Sequence, residues 1–161
     1  MSRPARRAVA FWSLFAGTVA MDVVTKRLAE QGLRLHVPRE VVGEWVRLTL
    51  TYNTGAAMNL SLGAASRVVF AAVASVMLVI IFRMYRRTAP HDGAQSAALA
   101  LIAAGALGNL IDRLRSAQGV VDFIDVGVGD WRFWTFNVAD MGVTVGAVML
   151  ATLLLRRPAP A

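Results

Sequence analysis

Four long stretches of the chain are apolar enough to form membrane-spanning helices. They cover residues 8–25, 60–82, 94–111 and 138–155, and only a few charged or amide side chains interrupt them. A helix needs about 20 mainly apolar residues, or about 17 at the short end, to cross the hydrocarbon core of a bilayer. Small residues are spread through all four stretches and allow close helix packing in lipid. The pattern therefore predicts a membrane protein with an all-α core of four transmembrane helices.

Two segments between these helices have a different pattern. Within residues 33–59, the sequence WVRLTLTY alternates apolar and polar positions with the period of a half-buried strand. Within residues 119–136, β-branched and aromatic residues flank Gly127 and Gly129, which indicates a short hairpin. The aromatic residues in both segments are typical of the interface between bilayer and water. We therefore expect a small β-sheet outside the bilayer.

Composition supports a membrane protein and restricts its chemistry. The 161 residues are 57% hydrophobic and 17% charged, which is too apolar for an ordinary soluble domain of this size. The chain length is typical of one domain, so we expect residues 1–161 to form a single unit. The absence of cysteine excludes thiolate chemistry. Because the two histidines, His36 and His91, lie in separate loops, no metal site is expected.

The distribution of basic residues predicts the orientation in the membrane. The N-terminus, the loop between the second and third spans, and the C-terminus lie on one side of a four-helix bundle. They contain eight arginines and one acid, Asp92, and so carry the whole net charge of +7. Arginine-rich flanking segments stay on the cytoplasmic side. We therefore expect both termini in the cytoplasm and, because topology accounts for the excess charge, no nucleic-acid partner.

This orientation places polar residues from four helices at the outer face. Near the outer ends of the spans lie Asp22, Arg67, Asn109, Asp112 and Asp140. A carboxylate within an apolar span is costly and is therefore a candidate functional residue. Interhelical hydrogen bonding alone could explain one or two such residues. Convergence of polar side chains from every helix instead indicates a site.

Further polar residues lie at the same depth. Asp22 and Lys26 are four residues apart on one helical face, in the favourable order for an ion pair. Asn53 and Gly55 belong to the sequence NTG, which is typical of a turn. Arg113 could clamp a carboxylate or phosphate group, or extend to the lipid headgroups.

Carboxylate chemistry is the chemistry that the available residues favour. A serine–lysine pair would require Lys26, which Asp22 would keep charged, and a Ser-His-Asp triad would require His36 from a polar loop. Two aspartates close together share one proton, so that one acts as base on a water and the other as acid on the peptide. Asp140 has no cation nearby in sequence.

Its partner aspartate is not decided by this reasoning. Asp22 has a cation four residues away and Asp112 has one beside it, Arg113, which would keep both ionised. Asp122 and Asp125 remain equal alternatives.

Five motifs occur in order along the chain. They are DxxTK at 22–26, NTGAA at 53–57, GALGNLIDR at 105–113, VVDF at 120–123 and FNVAD at 136–140. Together with the four spans, they resemble the lipoprotein signal peptidases (signal peptidase II) of bacteria, and the resemblance covers essentially the whole chain. It implies a four-helix membrane domain with a small extracytoplasmic β-cradle.

The resemblance also implies roles for individual residues. Asp122 and Asp140 would be the catalytic pair. Supporting or substrate-contacting roles would belong to Asp22, Lys26, Asn53, Gly55, Asn109, Arg113 and Asn137. Because its glycines and aromatics lie beside the pair, we expect residues 119–136 to move as a gate.

The family's reaction is hydrolysis of the signal peptide from a diacylglyceryl-modified prolipoprotein, just before the lipid-bearing cysteine. By resemblance, the chain is expected to be a monomer in the bacterial inner membrane, with its active site on the outer side. Its partners would be the lipid-modified substrate and membrane lipid, without a cofactor. The alternative is a small transporter or ion-relay subunit that uses the same carboxylates. Such a protein would spread polar residues through the bilayer or contain inverted repeats, and neither pattern is evident.

Overall fold

The computed structural model describes residues 2–55 and 63–156. Its helices are α1 (Arg3–Gly32), α2 (Ser66–Arg87), α3 (Gly93–Arg115) and α4 (Val138–Leu155), and its strands are β1 (Arg39–Val42), β2 (Val46–Asn53), β3 (Val120–Val128) and β4 (Trp131–Arg132). All four helices are long and apolar enough to cross a membrane, which confirms the predicted membrane core. The start of the second predicted span, residues 56–59 of the predicted outer segment and Arg157 lie outside the described residues.

Helix α1 extends beyond both ends of the span expected from hydropathy. Its 30 residues correspond to a length of about 45 Å, which exceeds the roughly 30 Å of a hydrocarbon core. Asp22 and Lys26 therefore lie inside a continuous helix, not at its end. The hydropathy pattern placed the boundary too early because it responds to the first charged residues.

Helix α3 is the centre of the bundle, since it packs against each of the other three helices. Its closest neighbour is α4, and glycines make that approach possible. A side chain at Gly105 would collide with the backbone of Ala139, and one at Gly146 would collide with the backbone of Ala98. Gly105 thus brings the end of α3 directly against the start of α4, where the polar residues are concentrated.

The two ends of the bundle differ in what they bury. At the termini end, where α1 begins and α4 ends, the rings of Phe11 and Tyr85 stack at 3.8 Å and Phe82 packs against them. At the sheet end, where α3 ends and α4 begins, buried groups include charged side chains. The termini end is held together by apolar packing.

The predicted small sheet is confirmed as four antiparallel strands in the order β1-β2-β3-β4. The sequence pattern did not indicate β1, a short edge strand whose residues are exposed. Leu50, Val121 and Phe123 pack against Ala29 and so fix the sheet on the end of α1. The register places Thr51 opposite Asp122. The predicted gate begins with β3, which is paired on both sides, and its motion remains a prediction.

Candidate active site

A buried ammonium group lies between two buried carboxylates at the sheet end. Lys26 Nζ is 2.8 Å from Asp22 Oδ2 and 2.8 Å from Asp112 Oδ2, and it donates to Asn109 Oδ1 at 3.0 Å. The three charged side chains are at most 3% exposed. An ammonium group has three donors, and here each has an acceptor. Lys26 therefore joins α1 to α3 with its charge fully paired.

Each of these two carboxylates also holds a backbone amide beside a candidate catalytic residue. Asp22 Oδ1 accepts from the N–H of Ala139, which directly precedes Asp140. Asp112 Oδ2 accepts from the N–H of Val121, which directly precedes Asp122. The Asp22–Lys26–Asp112 triad thus connects the two backbone segments that carry the candidate pair.

The expected pairing of Asp112 with its sequence neighbour Arg113 is wrong. Asp112 Oδ1 accepts from Arg115 Nε at 2.9 Å, and Arg115 in turn contacts Glu30 at 3.0 Å. Adjacent residues on a helix point in different directions, whereas residues three apart share a face.

Arg113 instead points toward the candidate site. Its guanidinium donates to the carbonyl oxygens of Gly55 at 2.7 Å and Asn109 at 3.1 Å, and it stands over the ring of Phe70. The side chain is buried, so it does not extend to the headgroups. Its charge lies within electrostatic range of Asp140 and Asp122.

Helix α4 begins with a capping box that fixes Asp140. The Asn137 side chain accepts from the N–H of Asp140 at 2.9 Å, and Asp140 Oδ2 accepts from the N–H of Asn137 at 3.2 Å. The first N–H groups of a helix have no partner within the helix, and the helix dipole favours a negative group there. Asp140 Oδ1 accepts from Asn109 Nδ2 at 2.8 Å, so both carboxylate oxygens have a donor.

Asn137 also holds Asp122. Its Nδ2 donates to Asp122 Oδ1 at 2.7 Å and to the carbonyl oxygen of Val121 at 3.2 Å. Asn137 therefore donates to the Asp122 carboxylate through its side chain and to the Asp140 carboxylate through its backbone N–H. The two aspartates, 18 positions apart in the printed sequence, meet at Asn137.

The environment of Asp122 favours its protonated form. Burial and the negative charge of Asp140 raise the pKa of Asp122 from 3.8 to about 7, although hydrogen bonds from Asn137 and Asn53 oppose the change. A carboxyl group with a pKa near 7 can donate a proton at neutral pH, as a general acid must. Perturbed carboxyl groups of this kind are concentrated at functional sites.

Both aspartates line a cleft of about 620 Å³. Its polar part contains Asn53, Asn109, Arg113, Asp122 and Asp140. Its apolar wall consists of Phe133, Trp134, Phe136 and Val143, and the first two rings are about half exposed at the rim. Clefts of this size hold small ligands or a few residues of peptide. Among the described residues, no group of His, Asp and Glu side chains is arranged to hold a metal ion.

The predicted site residues occupy two zones. Asn53, Asn109, Arg113, Asp122 and Asp140 line the cleft. Behind them, Gly55, Asn137 and Lys26 hold lining residues through hydrogen bonds, and Asp22 holds the backbone of Ala139 beside Asp140.

Asp125, the alternative partner for Asp140, lies elsewhere. Its carboxylate accepts from Arg132 Nε at 2.8 Å and from Thr49 Oγ1 at 2.9 Å. These bonds engage the Asp125 carboxylate with Arg132 and Thr49, outside the cleft. The structure thus separates two aspartates that the sequence left equal.

The sequence analysis missed several lining residues. Thr51 and Thr135 line the cleft and share a hydrogen bond of 2.8 Å. Thr51 lies opposite Asp122, so a correct strand register would have identified it. His36 also lines the cleft and has a positive φ of 58°. Tyr52 also lines the cleft, and burial and the nearby Glu30 carboxylate raise the pKa of its hydroxyl.

Known proteins have similar sequences and a similar fold. Residues 14–156 match the family described as Signal peptidase (SPase) II. The lipoprotein signal peptidase of Coxiella burnetii is 39% identical over 87% of this chain and 86% of its own length. That of Streptomyces coelicolor is 32% identical over 96% of this chain and 74% of its own length.

A solved structure supports the same relationship. A bacterial membrane enzyme determined by the in meso method at 1.9 Å superimposes with a TM-score of 0.82 and 28% identity, covering 92% of this chain and 94% of that one. The family match and the relatives each span most of the chain. The chain therefore belongs to the signal peptidase II family, and it is a membrane peptidase.

Proposed function

We propose that this peptidase removes the signal peptide from diacylglyceryl-modified prolipoproteins, cleaving just before the lipid-bearing cysteine, with Asp122 and Asp140 as its catalytic pair. The observation that carries the proposal is the meeting of the two carboxylates at Asn137 in one cleft. The names of the relatives supply the substrate class.

The two aspartates divide the proton transfers between them. Asp140 takes a proton from a water molecule, whose oxygen bonds to the scissile carbonyl carbon, while Asp122 gives its proton to the carbonyl oxygen. The resulting diol returns one proton to Asp122, and Asp140 passes its proton to the amide nitrogen as the C–N bond breaks. The products are a carboxylic acid and an amine, and both aspartates regain their starting states.

Neighbouring groups prepare the pair for these steps. Asn109 and the N–H of Asn137 donate to Asp140 and orient its oxygens. The buried Arg113 guanidinium offsets negative charge in the cleft, where the low dielectric strengthens its effect. Preorganised groups of this kind reduce the reorganisation needed at the reacting atoms.

The shape and position of the cleft suit a lipid-bearing peptide. The polar part can receive the peptide bond, while the rings of Phe133 and Trp134 offer an apolar surface for acyl chains at the rim. The site lies at the sheet end, which the arginine distribution assigns to the outer membrane face. We propose that the enzyme acts as a monomer.

The proposal is tested with the purified protein in lipid vesicles or micelles. A diacylglyceryl-modified prolipoprotein is the substrate, and the same protein without the lipid is the matched control. Mass spectrometry should find a new N-terminus at the modified cysteine, with little or no cleavage of the control. Equal cleavage of both forms would contradict the substrate class. An absence of cleavage combined with proton or ion flux across the vesicles would favour a transporter.

A further inference from the structure

Arg115 lies at the open edge of the buried polar network. Its side chain is 24% exposed, and it bridges two acids from different helices. Arg115 Nε donates to Asp112 Oδ1 at 2.9 Å and Nη2 donates to Glu30 Oε1 at 3.0 Å. Neither Arg115 nor Glu30 lines the cleft.

We propose that Arg115 is a positioning residue for the peptidase reaction, acting on Asp122 through Asp112 and the backbone of Val121. This inference rests on the proposed function. It assigns to the enzyme a functional residue outside the cleft and outside the motifs of the family resemblance.

The bonding of Asp112 explains how this influence reaches the site. Its Oδ2 is shared between Lys26 Nζ at 2.8 Å and the N–H of Val121 at 3.2 Å. Its Oδ1 is held by Arg115. Without Arg115, the carboxylate loses its anchor at Oδ1 and can turn away from its present plane, so the bond from the N–H of Val121 to Oδ2 is no longer fixed in one geometry. Asp122, the next residue, then loses part of its alignment with Asp140.

Energetics separate this role from a general structural one. An ion pair with a partly exposed partner contributes little to stability. A catalytic group, by contrast, loses a large factor in rate when it moves by a fraction of an ångström to an ångström. Removal of Arg115 should therefore lower the rate of the chemical step far more than it lowers stability or substrate binding.

The test compares Arg115→Gln with Arg115→Lys and with Arg27→Gln. Arg27 is the matched control because it also contacts Glu30, at 3.7 Å, but its side chain is 59% exposed. The lysine variant keeps the charge, but its ammonium cannot span both acids as the guanidinium does. For each protein, kcat and KM are measured on a diacylated prolipoprotein, and the thermal unfolding midpoint is recorded.

We expect Arg115→Gln to lower kcat about tenfold while KM stays within about twofold, the pattern of an interaction that matters in the transition state. Arg115→Lys should recover part of that loss, and Arg27→Gln should match the wild type. If Arg115→Gln cannot be purified in a folded form, the decrease of kcat in Arg115→Lys relative to the wild type is the test.

Three results would overturn the inference. They are a kcat within about twofold of wild type in the Arg115 variants, an equal loss in Arg27→Gln, and a loss that follows the unfolding midpoint. Failure of the wild type itself to cleave would refute the proposed function, so the two failures are distinguishable.

Discussion

The two ends of the helix bundle are packed by different kinds of side chain. At the termini end, stacked rings of Phe11 and Tyr85 fill the space between α1 and α2. At the sheet end, the corresponding space between α1 and α3 contains Lys26 and two carboxylates. Apolar rings pack without directional bonds, whereas buried ions must be paired in a defined geometry.

The difference is why we propose that the polar end is the reactive one. Burying an ion pair costs desolvation and is weak evidence for stability. The ion pairs instead fix the backbone of the site, because Asp22 and Asp112 accept from the amides that precede Asp140 and Asp122. We therefore expect mutations at the termini end to reduce stability alone, and mutations at the sheet end to change catalysis as well.

The largest effect on stability is expected from Lys26→Met. This change leaves Asp22 and Asp112 buried without their shared cation, which should lower the free energy of unfolding by about 3–5 kcal/mol. Denaturant unfolding in micelles measures the loss. The neighbouring exposed charge gives a control, because Arg27→Gln should change stability by less than about 0.5 kcal/mol. Equal losses of unfolding free energy in the two variants would show that the buried triad contributes no more to stability than an exposed charge.

A gain in stability at high pH is expected from Asp122→Asn. The pKa of Asp122 is about 7 in the folded protein and ordinarily 3.8, so folding holds a proton that the unfolded chain releases between these values. The contribution of Asp122 to the stability of the wild type is therefore highest below about pH 4 and is lost as pH rises through 7, by up to about 4 kcal/mol in all.

Asparagine cannot ionise, so the variant should be more stable than the wild type above pH 7 and equally stable below pH 4. Unfolding midpoints measured from pH 4 to pH 8 test this. A pH-independent difference between the two proteins would exclude a raised pKa at Asp122.

The rate of cleavage should also depend on the ionisation of Asp122. If Asp122 supplies the proton to the carbonyl, kcat/KM should fall about tenfold per pH unit above about 7, where that proton is lost. Initial rates on the lipidated substrate between pH 6 and pH 9 measure it. A flat profile over this range would rule out Asp122 as the acid.

The smallest effect is expected at the termini end. Phe11→Leu removes the stacking against Tyr85 but keeps most of the apolar volume, so it should cost about 1 kcal/mol of stability. Its kcat should remain within about twofold of wild type, because the change does not touch the polar network. A tenfold loss of kcat would remove the proposed distinction between the two ends.

Hydropathy alone was sufficient to predict the four helices, and strand periodicity was sufficient to predict the sheet. These signals are local and repeat along the chain. The edge strand β1 was missed because its four residues, REVV, do not alternate polar and apolar positions. The full length of α1 was missed because Asp22 and Lys26 look like a helix end, although tertiary partners bury both.

The site shows a similar division. The i, i+4 spacing predicted the contact between Asp22 and Lys26, but nothing local indicates that Asp112 shares the same cation. The choice between Asp122 and Asp125 depended on Arg132, seven residues further along. The β3–β4 register pairs Arg132 with Gly127, two positions from Asp125 and on the same face. Once the register is known, it pairs Arg132 with Asp125, whereas Asp122 lines the cleft.

The most direct test of the catalytic pair is cleavage of a diacylated prolipoprotein by Asp122→Asn and Asp140→Asn, with Asp130→Asn as the control in the exposed β3–β4 turn. Each variant is first shown to insert and fold. We expect both pair variants to lose activity by about a thousandfold or more, because neither proton transfer has a substitute, while the control stays at the wild-type rate. Normal turnover by a folded Asp122→Asn or Asp140→Asn protein would contradict the aspartic mechanism.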